Sequence, residues 1–149
     1  MHNEAKKACA AALSKVLAET YVVYLKTHNF HWNVEGQKFH ALHVMFEDQY
    51  RDMCEALDGI AERIRALGEY APGTYGKLMK LSTIEENEAI PEAVDMLKEL
   101  VADNETLVTS LIDAIKIVQD AGDEPSAGLL TDRQIVHEKQ IWMMRSMLA

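Results

Sequence analysis

The sequence predicts an all-α protein, a four-helix bundle in which one long crossover with a short helix joins the second and third long helices. Apolar side chains recur every three or four residues along four stretches, which is the period of one helix face. No segment alternates as β-strands do. The first and last connections are short, so each flanking helix pair should be antiparallel, whereas the middle connection of about 20 residues can cross the bundle.

The first two long helices are predicted at about residues 3–32 and 36–67. Gly68 lies just past the second helix, where a left-handed cap is usual. The linker at 69–87 contains proline and glycine, and residues 75–81 within it can form the short helix. The first helix carries an apolar stripe at Leu13, Leu17, Thr20, Tyr24 and Thr27.

The last two long helices are predicted from about Ile90 to Gly122 and from about Pro125 onward. Pro91 in the first turn, followed by Glu92, is a good start signal. The third stripe runs through Val94, Leu97, Val101, Asn104, Val108, Leu111, Ile115 and Val118. The fourth runs through Leu130, Gln134, His137, Ile141, Met144 and Leu148.

Length and composition narrow the class of protein. A chain of 149 residues is expected to form one domain, residues 1–149. With 48% apolar residues and three prolines, disorder is not expected. A formal net charge of −9 disfavours nucleic acid as a partner and suits cations.

The cysteines and the apolar runs predict a cytoplasmic protein. Cys9 and Cys54 are far apart, with no pairing motif, as free thiols in a reducing compartment would be. The N-terminus lacks a signal-type segment, and no apolar run reaches 18 residues, so no membrane span is expected.

Four chemically suggestive residues share one face of the second helix: His43, Glu47, Asp58 and Glu62. They fall within roughly a quarter turn of one another on a helical wheel. Glu47 and Asp58, however, are eleven residues apart, or about 16.5 Å along the axis. Metal ions in a binuclear site lie only about 3.5–4 Å apart, so one helix cannot complete the site.

The same spacing is symmetrical about a point between Asp52 and Met53. The position numbers of His43 and Glu62 add to the same total as those of Glu47 and Asp58. Two copies of the helix could pack antiparallel about a two-fold axis. Glu47 of one copy would then lie opposite Asp58 of the other, and His43 would lie opposite Glu62. The pattern therefore predicts two identical sites, each of which needs both chains.

Imidazole and carboxylate ligands together favour Fe, Mn or Zn over Ca or Mg. His31, near the end of the first helix, would complete the set. Two divalent metals bridged by a carboxylate would suit the oxidation of Fe(II). A di-iron site within one chain is not expected, because helices three and four lack the Glu-x-x-His motif; their closest string, residues 134–137, begins with Gln134.

Several motifs resemble the signature of the Dps family of mini-ferritins: HNFHWNVEG at 28–36, Phe39, Leu42-His43, DGIAER at 58–63 and Leu67-Gly68. The layout also resembles a ferritin-like four-helix bundle over nearly the whole chain. The resemblance implies a hollow dodecamer that oxidises Fe(II), preferably with hydrogen peroxide, and stores ferric mineral. It assigns His31, His43 and Glu47 to one subunit of a two-fold interface, and Asp58 and Glu62 to the other.

The resemblance also bears on Glu47 and Trp32. Many family members have Asp at position 47; the longer Glu can reach the metal directly or hold a bridging water. Trp32 is implied to lie near the iron pair and to give up an electron, so that peroxide is reduced without releasing hydroxyl radical. A tryptophan buried at a subunit contact is the alternative.

An acidic turn between helices three and four lines iron-entry pores in the family, which implies that role for Asp120, Asp123 and Glu124. A further acid of some members is replaced by Gly128. An ordinary solvated turn is the alternative. DNA-coating members carry a mobile basic tail, whereas the N-terminal end here offers only Lys6 and Lys7, beside Glu4. DNA binding is therefore expected to be weak or absent, and a DNA-packaging scaffold is the alternative function.

The other histidines and Cys54 allow simpler interpretations. His28 and His40 lie three residues before proposed ligands and either extend the site or belong to a surface or interface. His137 lies on an apolar stripe and is expected to be a hydrogen-bonded core histidine. Cys54 is expected to be a buried, inert thiol near the proposed crossing point.

Overall fold

The computed structural model describes residues 1–149 and contains five helices. They are α1 (Asn3–Asn33), α2 (Phe39–Ala66), α3 (Tyr75–Leu81), α4 (Ala93–Asp120) and α5 (Glu124–Leu148). Helix α1 packs along α2 and α4, α4 packs along α5, and α3 lies against α1. The predicted bundle, its crossover and its short helix are thereby confirmed.

Two helices begin later than the sequence suggested. Gly36 has a φ of +113°, so residues 36–38 form a turn and α2 starts at Phe39. Glu92 is extended and accepts the first helical hydrogen bond from Met96, so α4 starts at Ala93 instead of Ile90. The predicted cap at Gly68 is confirmed, because it has a φ of +94° and donates to the Arg65 carbonyl at 2.9 Å.

The apolar core has two parts, separated by polar side chains from all four long helices. Phe30, Phe46 and Leu100 belong to the smaller cluster, while the larger cluster includes Val23, Met53 and Leu107. Between them lie the residues that we call the polar layer: Thr27, Gln49, Asn104, Arg133 and His137.

His137 is a hydrogen-bonded core histidine, as predicted. Its Nδ1 lies 2.7 Å from Asn104 Oδ1, and its Nε2 lies 3.1 Å from Arg133 Nη2. Arg133 also makes a two-pronged ion pair with Asp52, at 2.8 and 3.2 Å. Burial, together with the Arg133 charge, lowers the pKa of His137 to about 3, so its ring is neutral.

Helix α1 is long and apolar enough to cross a membrane on length and composition, contrary to the expectation from apolar runs. In the folded chain, however, 56% of that apolar window is buried within the protein. Cys9, Leu13, Val16 and Val23 lie in the larger core cluster. The apolar character of α1 is thus accounted for by its central place in the bundle.

Candidate metal centre

His31, His43 and Glu47 form the only group of three candidate ligands brought together in the chain. One ligand atom from each lies within 4.8 Å of the other two. His31 ends α1, while His43 and Glu47 occupy the first turns of α2. The short turn at 34–38 brings these helix ends side by side. The two imidazole rings stack with their centroids 3.8 Å apart.

A reciprocal pair of hydrogen bonds fixes the tautomer of both histidines. His31 Nδ1 lies 2.7 Å from the His43 carbonyl oxygen, and His43 Nδ1 lies 2.8 Å from the His31 carbonyl oxygen. A carbonyl oxygen only accepts, so both Nδ1 atoms must carry the proton. In the neutral form of each ring, Nε2 then keeps a free lone pair, which is the state that a metal requires.

Glu47 lies between the candidate ligand His31 and the cationic side chain of Arg51. Its Oε1 is 3.8 Å from His31 Nε2, and its Oε2 is 3.3 Å from Arg51 Nε. Arg51 is exposed, so this ion pair adds little stability and can yield to a metal ion. The carboxylate is therefore placed within reach of an ion held by the imidazoles.

Asp58 and Glu62 form a separate, exposed pair further along α2. A hydrogen bond with Asp58, reinforced by the Asp58 charge, raises the pKa of Glu62. The two carboxyl groups are thus close enough to hold one cation together. No third ligand of the same chain joins them. The structure brings together three of the five predicted ligands and leaves the other two apart, as the spacing along α2 requires.

Trp32 and Cys54 are both exposed in the single chain, whereas a buried position was considered for each of them. Trp32 is 59% exposed, and its ring lies 3.8 Å from that of His28. His40 is exposed and has no place in the ligand group. The expectation that Cys54 is buried is wrong for the single chain, because its position on α2 faces solvent.

The acidic turn departs from expectation at Asp123. This carboxylate is buried, caps α5 by accepting from the Ser126 amide at 3.2 Å, and pairs with Arg63 at 2.8 Å. Such a carboxylate cannot line an open pore, which contradicts the role expected for Asp123. Asp120 and Glu124 are exposed and keep the proposed role.

Sequence reasoning missed the tyrosines beside the site. The Tyr50 ring lies 5.1 Å from the His31 ring and stacks on His28 at 3.8 Å. Tyr24 lies 6.3 Å from Tyr50, whereas the sequence assigns it only to the apolar stripe of α1. The available signal was spacing, because Tyr50 follows Glu47 by one helical turn.

A helical bundle with clustered imidazole and carboxylate ligands defines a ferritin-like class of protein, and comparisons with known proteins agree. The ferritin-like domain family matches residues 10–149. The crystal structure of a Dps protein from Bacillus brevis is 32% identical, covers 100% of both chains and gives a TM-score of 0.95. The chain is a member of the Dps family of mini-ferritins.

Two further relatives are similar over most of their length. DNA protection during starvation protein 2 of Bacillus anthracis is 35% identical over 136 residues, which is 91% of this chain and 93% of the relative. The Dps protein of Vibrio cholerae O1 is 28% identical, with a TM-score of 0.95 over 100% of this chain and 94% of that one. That structure is described as belonging to the ferritin-like diiron-carboxylate proteins.

Proposed function

We propose that this protein is a ferroxidase and iron store that oxidises Fe(II), preferably with hydrogen peroxide, at di-iron sites between two-fold related subunits. The observation that carries the proposal is the division of one ligand set into two incomplete parts on a single chain. The imidazole part has free Nε2 atoms, and the carboxylate part lies too far away to join it. We further propose a cytoplasmic dodecameric shell that holds the ferric mineral and limits oxidative damage.

The chain's residues have distinct roles in this scheme. His31 and His43 bind Fe(II) through Nε2, while their Nδ1 protons stay in the reciprocal hydrogen bonds. Glu47 binds directly or holds a bridging water. Asp58 and Glu62 of the second subunit supply negative charge to the bound cation. Two Fe(II) ions then give one electron each to hydrogen peroxide, which takes up two protons and leaves as two waters.

Anaerobic Fe(II) loading followed by peroxide tests the proposal, with ferric absorbance as the readout. The native protein should oxidise Fe(II) rapidly and saturate near two Fe(II) per site. Glu62→Ala should lose the rapid phase, whereas Asp113→Ala, which removes an exposed acid of α4, should keep it. Oxidation no faster than in buffer, or unchanged in Glu62→Ala, would mean that these residues are structural.

Mixed subunits test the sharing of the site directly. His31→Ala and Glu62→Ala chains should each be inactive alone. When they are refolded together, a mixed pair has one site with both defects and one intact site. Random pairing should restore about one quarter of the native sites. If ligands came from one chain only, mixing would restore none.

DNA protection is a second candidate function, favoured by the name of the Bacillus anthracis relative. The net charge of −9 opposes it, and Lys7 of the N-terminal pair already lies 3.9 Å from Glu4. We expect weak or no DNA binding. A gel-shift at low salt and at about 150 mM salt decides the matter, since retention at the higher salt would support this second function.

A site that holds Zn or Mn without turnover is a further possibility for the same ligands. Metal analysis after aerobic Fe(II) loading separates it from the ferroxidase. Iron far above two ions per site would support storage. Zinc or manganese that resists replacement by Fe(II) would contradict it.

A further inference from the structure

The polar layer contains buried hydrogen-bonding atoms that have no partner in the chain. Gln49 is 5% exposed, and neither its Oε1 nor its Nε2 has a partner. Arg133 Nε in the layer and Gln140 Oε1 beside it are also buried and unpartnered. Buried polar atoms in folded proteins are nearly always hydrogen-bonded, either to the protein or to an ordered small molecule. These atoms therefore indicate a binding site inside the bundle.

The packing of α2 and α5 brings the unpartnered atoms to one level of the bundle. On α2, Gln49 lies between Phe46 of the smaller apolar cluster and Asp52, one helical turn from each. On α5, Gln140 follows Arg133 by seven residues on the same face and borders the smaller cluster. The Asp52–Arg133 ion pair joins the two helices at 2.8 Å. Both amides are thus enclosed between this ion pair and the smaller apolar cluster.

The charge of the region limits what can bind there. Asp52 neutralises Arg133 through two hydrogen bonds. His137 is uncharged, because its pKa is about 3, and both of its ring nitrogens have partners. Neither a free carboxylate nor an imidazole lone pair is left for a metal ion. Burying an uncompensated charge is costly, so the ligand that fits this region is neutral.

The unpartnered atoms offer hydrogen bonds of both kinds. Arg133 Nε and Gln49 Nε2 donate, whereas Gln49 Oε1 and Gln140 Oε1 accept. A neutral molecule that satisfies them must both donate and accept. Water and hydrogen peroxide do this and are small enough for a packed core. A buried water commonly makes about three hydrogen bonds, which this set of atoms can supply.

A groove between α2 and α5 provides the entrance. Its volume is about 600 Å³, and Asp52 and Arg133 line it. Gly59 and Gly128 also line the groove, and an added Cβ at either position would meet no atom within 4 Å. The groove is therefore open as far as the ion pair, behind which Gln49 lies.

We propose that the polar layer binds a neutral, water-sized molecule that donates and accepts hydrogen bonds, namely water or hydrogen peroxide, through Gln49, Gln140 and Arg133. The site is separate from the candidate metal centre. Gln49 and Glu47 are two residues apart on α2, so their side chains point about 200° apart around the helix. The inference does not depend on the proposed ferroxidase function.

High-resolution crystal structures of the native protein, before and after soaking in hydrogen peroxide, test the proposal. Electron density should lie within hydrogen-bond distance of Gln49 and Gln140. A single oxygen would identify water, and two bonded oxygens after soaking would identify hydrogen peroxide. A direct bond between the two amides with no density between them would overturn the inference, and so would a bound ion.

Gln49→Met tests the same site in solution, because methionine has a similar volume but cannot replace the amide. The bound molecule would lose a partner, so the unfolded-to-folded ratio in urea should rise about tenfold. Oxygen-17 relaxation dispersion should show one fewer long-lived internal water than in the native protein.

Gln119→Met is the matched control, since Gln119 is an exposed glutamine of α4, and it should match the native protein in both measurements. If the Gln49 amide were unpaired, methionine would remove the cost of burying two polar atoms and stabilise the fold. Unchanged or increased stability of Gln49→Met would therefore contradict the proposal.

Discussion

His31 and His137 are both buried histidines, yet their surroundings prepare them for different tasks. His137 is 0% exposed, and both of its ring nitrogens have hydrogen-bond partners from the protein. His31 is 6% exposed and uses only Nδ1 in such a bond, to the His43 carbonyl. Its Nε2 faces a carboxylate 3.8 Å away.

The difference shows that burial alone does not distinguish a structural histidine from a proposed metal ligand. In the polar layer, Asn104 and Arg133 occupy both nitrogens of His137, so a metal has no lone pair to bind. At the metal centre, one nitrogen is fixed by the backbone and the other is free. A buried histidine with one ring nitrogen left free by the protein is therefore the better sign of a metal ligand. Four predictions test this comparison.

The largest effect is expected for His31→Ala. Affinity for Fe(II), measured by anaerobic calorimetry, should fall by more than about 100-fold, since even loss of a residue that supports a ligand commonly costs 10–100-fold. The free energy of unfolding should fall less than in His137→Ala, because His31 makes only one side-chain hydrogen bond. If the variant binds Fe(II) with native affinity, His31 is not a ligand, and its free Nε2 does not distinguish it from His137.

His137→Ala should show the opposite behaviour. It leaves a cavity in the core and removes the hydrogen-bond partner of Asn104 Oδ1, while Arg133 keeps only its ion pair with Asp52, so the free energy of unfolding should drop by about 3 kcal/mol. Urea unfolding at one fixed protein concentration measures this, because stability of an assembly depends on concentration. A loss below about 0.5 kcal/mol would show that the polar layer tolerates a gap.

The pH dependence of stability should also separate the two histidines. The pKa of His137 is about 3 in the folded protein and 6.5 as the ordinary value. Between these values the unfolded chain binds a proton that the folded chain does not. His137 should therefore reduce stability by about 1.4 kcal/mol for each pH unit lost below 6.5.

The comparison that isolates this contribution is native protein against His137→Gln, unfolded in urea at pH 7 and pH 5. Carboxylate contributions are common to both proteins and cancel. The stability difference between the two pH values should be smaller in the variant. If the free energy of unfolding changes equally between pH 7 and pH 5 in both proteins, His137 is protonated in the folded state.

The smallest effect is expected for Glu47→Asp. Shortening the side chain by one methylene keeps the carboxylate, and a bridging water can span the gap. Fe(II) affinity should fall by about tenfold at most, the lower range for a supporting residue. A loss as large as that of His31→Ala would identify Glu47 as a direct ligand whose length matters.

Much of the bundle was predictable because its signals are local. Periodicity located the helices, and Gly68 marked the end of α2, since only glycine adopts its backbone conformation without strain. The start of α2 was less clear, because Gly36 fits either a helix start or a turn. Its positive φ depends on the path between α1 and α2, which no local pattern contains.

The candidate site was predictable only where spacing along a helix carried the information. His43, Glu47, Asp58 and Glu62 follow from the period of α2. The reciprocal bonds of His31 and His43 require the packed helix ends and cannot be derived from residue types. The pore-lining role expected for Asp123 was wrong for a related reason. The sequence of a turn does not show whether its carboxylate faces solvent or caps a helix beside an arginine such as Arg63.

The separation of Glu47 from Asp58 along α2 has a kinetic consequence. If each site is completed only when two chains associate, a dilute, unpaired chain does not oxidise Fe(II). At concentrations below the pairing equilibrium, the number of working sites then grows with the square of the chain concentration. A newly made chain would thus not react with hydrogen peroxide at its histidines until it pairs with a second chain. Association of the two chains would itself start the chemistry.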